Sequence, residues 1–215
     1  MLPLRAYIPP FPRLLVLFLG IVIPLVIAGF IADDIRAQQH FVFEQPLMMW
    51  VHAHTGEAFT PVAIVLHHLG KSAVAIPITV LFALWLYLRR RRGYALFVLL
   101  GAALSTAVMF TAKQFFNRPR PEFWPRIVEE TNASFPSGHS TFAAAIATLI
   151  VLVYWYSPYR KYIIAAAVAF TLLMGFSRIV LGVHYPTDVL VGWITGVSTV
   201  LGLHLVLFRK LPEST

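Results

Sequence analysis

Cysteine does not occur in this chain, which excludes a disulfide framework and a thiolate metal site. Charge is scarce as well. Asp, Glu, Lys and Arg make up 12% of the 215 residues against 59% hydrophobic, and the mean hydropathy of +0.76 lies outside the range of soluble globular domains. The composition is that of an integral membrane protein. No repeat, low-complexity linker or shift in composition divides the chain, so one domain over residues 1–215 is expected.

Acids are rarer than bases, and the formal net charge is +8. The longest basic run, Arg89 to Arg92, is short and abuts an apolar segment, so it reads as an anchor at lipid head groups and no nucleic-acid partner is expected. The histidines His52, His54, His67 and His68 lack a matching set of acids or cysteines and are read as locally hydrogen-bonded rather than metal-ligating.

What is present is a series of apolar runs, each to be compared with the ~20 helical residues that cross a hydrocarbon core. Six candidates run from Leu14 to Ala32, Ala73 to Leu88, Tyr94 to Thr111, Ser140 to Tyr156, Tyr162 to Ile179 and Thr187 to Phe208. The fold expected is therefore an all-α polytopic membrane protein with six transmembrane helices. Between the first two spans, Phe43 to His54 has the composition of a short interfacial helix, with Trp50 at head-group level. The apolar stretch from Ala58 to Leu69 is too short to span and reads as a lead-in segment at the outer interface. The first span lacks the small residue expected before a cleavage point and is read as an uncleaved anchor.

Arg5, Arg13, Arg89 to Arg92, Arg160, Lys161, Arg209 and Lys210 all fall on the N-terminal side of such a topology. Positive loops remain in the cytoplasm, so both termini are expected inside, in a plasma (inner) membrane. The opposite, periplasmic side carries Arg36, Lys71, Lys113, Arg118, Arg120, Arg126 and Arg178, together with every acid except Glu213.

Three polar clusters punctuate the outer span ends. Lys113 and Arg120 flank the third span, and a point charge with a planar fork can grip one phosphate from two sides, although a lone Lys113 is also what a snorkelling residue looks like. Prolines 119, 121 and 125 make the intervening segment a stiff loop. Pro136-Ser137-Gly138-His139 opens the fourth span. Ser137 can cap the helix, Gly138 lets the backbone approach an oxyanion, and His139 sits in the first turn; an ordinary N-cap with an interfacial histidine is the plainer alternative. Ser177-Arg178 closes the fifth span, and His184-Tyr185-Pro186-Thr187-Asp188 opens the sixth. A carboxylate beside a histidine holds one ring nitrogen as N–H and raises the basicity of the other, which makes His184 a candidate nucleophile and leaves His139 to protonate a departing oxygen.

Lys113 to Arg120-Pro121, Pro136 to His139, and Ser177-Arg178 to His184 to Asp188 resemble, in order and spacing, the three signature motifs of the type 2 phosphatidic acid phosphatase (PAP2) family. The motif region covers residues 113–188. The resemblance implies metal-independent hydrolysis of a lipid phosphate or pyrophosphate through a phosphohistidine, with no cofactor. It makes His184 the nucleophile, Asp188 its orienting partner and His139 the general acid. Lys113, Arg120, Ser137, the Gly138 backbone and Arg178 are then the phosphoryl-binding groups. Two Arg-Pro pairs compete, and family spacing selects Arg120 while Arg118 is a second possible contact. Compact relatives act on undecaprenyl pyrophosphate, phosphatidylglycerophosphate, phosphatidic acid or diacylglycerol pyrophosphate, and the first two are the favoured substrates here. A lipid phosphotransferase using the same phosphohistidine, and a non-catalytic lipid-phosphate binder or transporter, are the alternatives.

Overall fold

The computed structural model describes residues 15, 17–38 and 41–207. Expectations that fall on Arg5, Arg13, Leu14, Phe208, Arg209, Lys210 and the tail Leu211 to Thr215 lie outside the described residues. Among the described residues all regular structure is helical. The helices are α1 (Phe18–Arg36, its first turn Phe18–Val22 wound as a π-helix), α2 (Glu44–Gly70), α3 (Ser72–Leu88), α4 (Arg92–Phe116), α5 (Gly138–Val153), α6 (Arg160–Val180) and α7 (Pro186–Leu207).

Local chemistry sets the ends that matter for the site. α4 continues past the apolar run through Lys113 and stops at Asn117, which adopts φ 43° and donates its N–H to the Lys113 carbonyl. A left-handed residue just beyond the last turn is a common helix stop, and Asn tolerates it. Ser137 caps α5, accepting from the Ser140 N–H, and Pro186 begins α7, where its missing N–H has no partner to lose. The loop between, residues 117–137, carries neither helix nor strand, as its prolines require.

α5 packs against α4, α6 and α7. Its contact with α7 is a backbone approach allowed by glycine. A β-carbon at Gly192 would lie 2.7 Å from the Ser137 carbonyl oxygen, and one at Gly196 would lie 2.5 Å from that of Thr141. This is the small-residue packing inside the bundle expected from the Gly192–Gly196 spacing. On the outside, α1 exposes Phe18, Leu19 and Phe30, a surface suited to lipid.

One expectation is revised, and the count of six spans is not reached by length and composition alone. By length and composition four helices can cross a membrane: α1, α4, α6 and α7. A fifth is added if Ala58–Gly70 and α3, bent by 62° at their junction, are counted as one broken span. α5 has 16 residues and α3 has 17, short of the usual ~20, so this measure does not reach six. The apolar run to Tyr156 overstated α5, because the chain turns after Val153. The short interfacial helix of 43–54 and the separate stretch 58–69 are in fact one 27-residue helix, α2, running through Pro61. The two stretches are separated only by Thr55-Gly56-Glu57, and both ends of the joined helix are fastened to the rest of the protein, at Glu44 and at His67.

The helices alternate so that one end of the bundle gathers Gly70, Lys113, Gly138, Arg178 and Pro186, and the other gathers Arg89 to Arg92 and Arg160. At that second end Arg91 lies 4.5 Å from the Tyr94 ring and Arg160 lies 5.2 Å from that of Trp155, as basic residues and aromatic belts do at head-group level. Gly196→Ala should destabilise the protein by ~1–3 kcal/mol, since helix backbone is in the way. Gly202→Ala, with nothing within 4 Å, should not. Thermal unfolding of both variants in detergent checks this, and equal melting temperatures would contradict the packing.

Candidate active site

His184 lies between α6 and α7 and is 1% exposed. Its Nε2 is 3.2 Å from Nη1 of Arg120, and a guanidinium only donates, so Nε2 carries the lone pair and Nδ1 carries the proton. Nδ1 faces Oδ2 of Asp188 and Oγ of Ser134, each at 3.4 Å. Burial pushes the His184 imidazole down to about 3, with Asp188 pulling the other way, so the ring is neutral at ordinary pH. A neutral imidazole whose Nδ1–H is oriented by a carboxylate, with a lone pair on Nε2 that here faces Arg120, has the chemistry of a candidate nucleophile.

Asp188 is itself fully buried and surrounded by donors. Arg118 Nη1 donates to Oδ1 at 2.6 Å, while Oδ2 accepts from the Ser134 hydroxyl and from the Tyr185 N–H at 2.9 Å. The other nitrogen of Arg118 reaches Glu44 at the start of α2 at 2.7 Å, and its guanidinium lies 3.9 Å from the Tyr185 ring centroid. Glu44 also accepts from the Thr187 hydroxyl at 2.5 Å. Arg118, open in the sequence as a second phosphate contact, is thus an ion-pair partner of two carboxylates, which hold its guanidinium strongly protonated despite burial.

Four cations were expected to converge, counting Arg118. Arg120 does so from the loop, bonding the Asn132 and Val183 carbonyls at 2.9 and 2.7 Å as well as facing His184. Lys113 donates to the Ala133 carbonyl from the last turn of α4. Arg178 is completely buried and donates to Oε1 of Glu130 at 2.5 Å, and the other carboxylate oxygen of Glu130 is 3.6 Å from Arg120. An internal carboxylate therefore bridges two of the expected phosphate-binding arginines, and one Arg178 nitrogen, Nε, has no partner.

His139, in the first turn of α5, stacks on His67 of α2 with ring centroids 5.3 Å apart and planes at 8°. His67, Glu130 and His139 could each offer one ligand atom within 4.8 Å of the others. A cation fits there poorly, because Arg178 already sits on this trio, 2.9 Å from Nδ1 of His67 and 2.5 Å from Glu130. Of the other histidines, His52 stacks on Trp124 and His54 bonds the Trp50 carbonyl.

A cavity of about 660 Å³ joins these groups. Lys113, Arg120, Glu130, Gly138, His139 and His184 line its polar end. Its wall continues along Ala75, Ile76 and Val80 of α3, Leu99 and Phe110 of α4, and Phe142 and Ile146 of α5. Along α3 from Ser72 to Val80 the lining follows ~8 residues, or ~12 Å of helix, enough for a stretch of hydrocarbon. Ser137 and Arg178 do not line the cavity. The Ser137 hydroxyl is occupied as the α5 cap, and Arg178 lies next to Glu130, which does line it.

Sequence reasoning missed Ser134, Glu44, Glu130, His67 and Gly70. A usable signal existed for the acids, since nearly all of them fall on the outer side, where buried cations need counter-charges. Gly70 simply follows the short apolar stretch in the sequence, yet a β-carbon there would lie 2.2 Å from Cδ2 of His139.

Several known proteins are similar to this chain in sequence or fold. Phosphatidylglycerophosphatase B of Bacillus subtilis (strain 168) is 36% identical over 136 residues, 60% of this chain and 66% of that protein. An undecaprenyl-diphosphatase of Sulfolobus acidocaldarius is 27% identical over 75% of this chain and 77% of that protein, and a lipid A 1-phosphatase of Rhizobium etli is 30% identical over 58% and 60%. Among solved structures, a transmembrane PAP2-type phosphatidylglycerolphosphate phosphatase from Bacillus subtilis superposes with a TM-score of 0.75 at 25% identity, covering 89% of this chain and 98% of that one. LpxE of Aquifex aeolicus superposes with a TM-score of 0.62 at 25% identity, covering 79% and 97%. The sequence model of the PAP2 superfamily matches residues 94–212, a stretch holding all three motifs and both candidate catalytic histidines, and the chain belongs to that superfamily.

Proposed function

We propose that the protein is a lipid phosphate phosphatase that hydrolyses a lipid phosphate or pyrophosphate at the outer membrane interface without a metal. The observation that carries this reading is the continuous cavity whose head holds Lys113, Arg120, His139 and His184 and whose wall is apolar. A phosphate head with a hydrocarbon tail matches both parts. The names of the relatives support the same substrate class, with undecaprenyl pyrophosphate and phosphatidylglycerophosphate favoured.

In the proposed reaction Nε2 of His184 attacks phosphorus, forming a P–N bond as the P–O bond to the lipid breaks. The departing oxygen keeps the bonding pair and takes a proton from His139. Water then attacks phosphorus, giving its proton back to His139, and the P–N pair returns to Nε2. Asp188 holds Nδ1–H and stabilises the positive charge that develops on the ring. Lys113, Arg120 and the Gly138 backbone bear the charge on the phosphoryl oxygens in place of a metal. Arg178 joins them when the phosphoryl group displaces the Glu130 carboxylate, because the donors are the same. Ser137 acts by capping α5 beside the phosphoryl group.

The membrane arrangement belongs to this proposal: α1, α3, α4, α5, α6 and α7 as six spans, the basic end of the bundle and both termini in the cytoplasm, and the site on the extracytoplasmic side of an inner membrane.

Purified protein in detergent should hydrolyse members of a panel of isoprenoid and glycerol lipid phosphates with EDTA present, and orthovanadate should inhibit it. His184→Ala should lose several orders of magnitude in rate. Activity abolished by EDTA and restored by magnesium, or an undiminished His184→Ala, would contradict the reading. Burial of neutral His184 also sets a sign for stability. Its folded value lies below the unfolded ~6.5, so the unfolded chain takes up the proton first and stability falls as pH drops from ~6.5 toward the folded value of about 3. Denaturation of His184→Asn in that range should show a shallower fall with decreasing pH, by up to ~1.4 kcal/mol per pH unit. Parallel curves for the two proteins would place the proton elsewhere.

A further inference from the structure

The superfamily match begins at residue 94, yet the group closest to the general acid comes from α2. His139 Nε2 lies 2.9 Å from the backbone carbonyl oxygen of His67. A carbonyl only accepts, so Nε2 carries a proton and its ring edge is fixed toward α2. The same edge packs on Gly70, where a β-carbon would lie 2.2 Å from Cδ2 and 3.0 Å from Nε2. Nδ1 is left as the nitrogen that can exchange a proton with substrate.

His67 belongs to the last turn of α2, whose final four carbonyls have no partner within the helix and carry the negative end of its dipole. From this arrangement we infer that the C-terminal turn of α2, His67 to Gly70, is the positioning element of the general acid, with the His67 main-chain carbonyl serving His139 as Asp188 serves His184. The inference rests on the assignment of His139 as general acid made above.

The mechanism is specific. When Nδ1 carries the second proton, the imidazolium is stabilised by Nε2–H donating to a carbonyl at a helix C-terminus, and Nδ1 delivers that proton to the oxygen leaving phosphorus. Gly70 is required because any side chain there pushes the ring off this seat. The His67 side chain acts elsewhere. Its Nδ1 accepts from Arg178 Nη1 at 2.9 Å, so it steadies an arginine rather than the acid.

The test separates these roles by leaving group, measured as single-turnover product release from a lipid phosphate, whose alkoxide needs a proton, and from 4-nitrophenyl phosphate, whose phenolate does not. His139→Ala should fall by about 100-fold or more on the lipid phosphate and far less on the aryl ester. Gly70→Ala should reproduce that selectivity. His67→Ala keeps the carbonyl, so it should raise KM without changing the ratio between the two substrates. A Gly70→Ala protein that loses both activities in equal proportion overturns the inference. If His139→Ala itself loses both equally, the general-acid assignment falls, and this inference with it. Independently of any variant, 15N-histidine spectra of the native protein should report a protonated Nε2 at His139, and an unprotonated Nε2 overturns the inference.

Discussion

Asp188 is a carboxylate with no exposed surface, and the rest of the site hangs from it. Arg118 and Ser134 hold it from the loop, Tyr185 from the backbone and His184 from the ring. Through Arg118 it also reaches Glu44, so α2 is tied to the start of α7. Breaking a buried ion pair by removing one partner typically costs ~3–5 kcal/mol, because the remaining charge is left unsolvated. The same interaction that orients His184, the proposed nucleophile, therefore fastens a long, proline-rich loop to the helix ends.

The helix ends make the second constraint. α5 approaches α7 as closely as backbone allows, at Gly192 and Gly196, and this brings the Ser137 N–H within 3.0 Å of the Asp188 carbonyl. The capped start of α5, with Gly138 and His139, is thereby set beside His184 without a long connection. Cations and backbone donors gathered in a low-dielectric pocket stabilise developing phosphoryl charge more strongly than they would in water, which is the role a metal fills elsewhere. Glu130 pairs with both Arg178 and Arg120 at this end of the pocket.

The motif residues were legible because an ionisable group in an apolar run demands an explanation, and Lys113, Arg120, His139, Arg178, His184 and Asp188 each stood in or beside one. Their partners were not. Ser134, Glu44 and Glu130 lie in polar segments where a serine or glutamate attracts no notice, and only three-dimensional closure gives them a cation or a histidine to hold. Arg118 and Arg120 differ by two positions; Arg120, the one that spacing selects, lines the cavity, but nothing local revealed that Arg118 answers to two carboxylates. The helical segments were legible from hydropathy within a few residues. α2 was not, because Thr55-Gly56-Glu57 looks like an interruption and the anchors at Glu44 and His67 are tertiary. Gly70 shows the same limit: its meaning is the imidazole packed against it.

The account turns on one atom, Nε2 of His184, being the point where phosphorus becomes covalently attached. Rapid quenching of the enzyme with a 32P-labelled lipid phosphate, followed by peptide mapping, tests it directly. The expected product is a phosphohistidine at His184 bearing the phosphoryl group on Nε2, since Nδ1 is held by Asp188 and Ser134. Label on Nδ1, on another residue, or no acid-labile adduct under conditions of rapid turnover would contradict it.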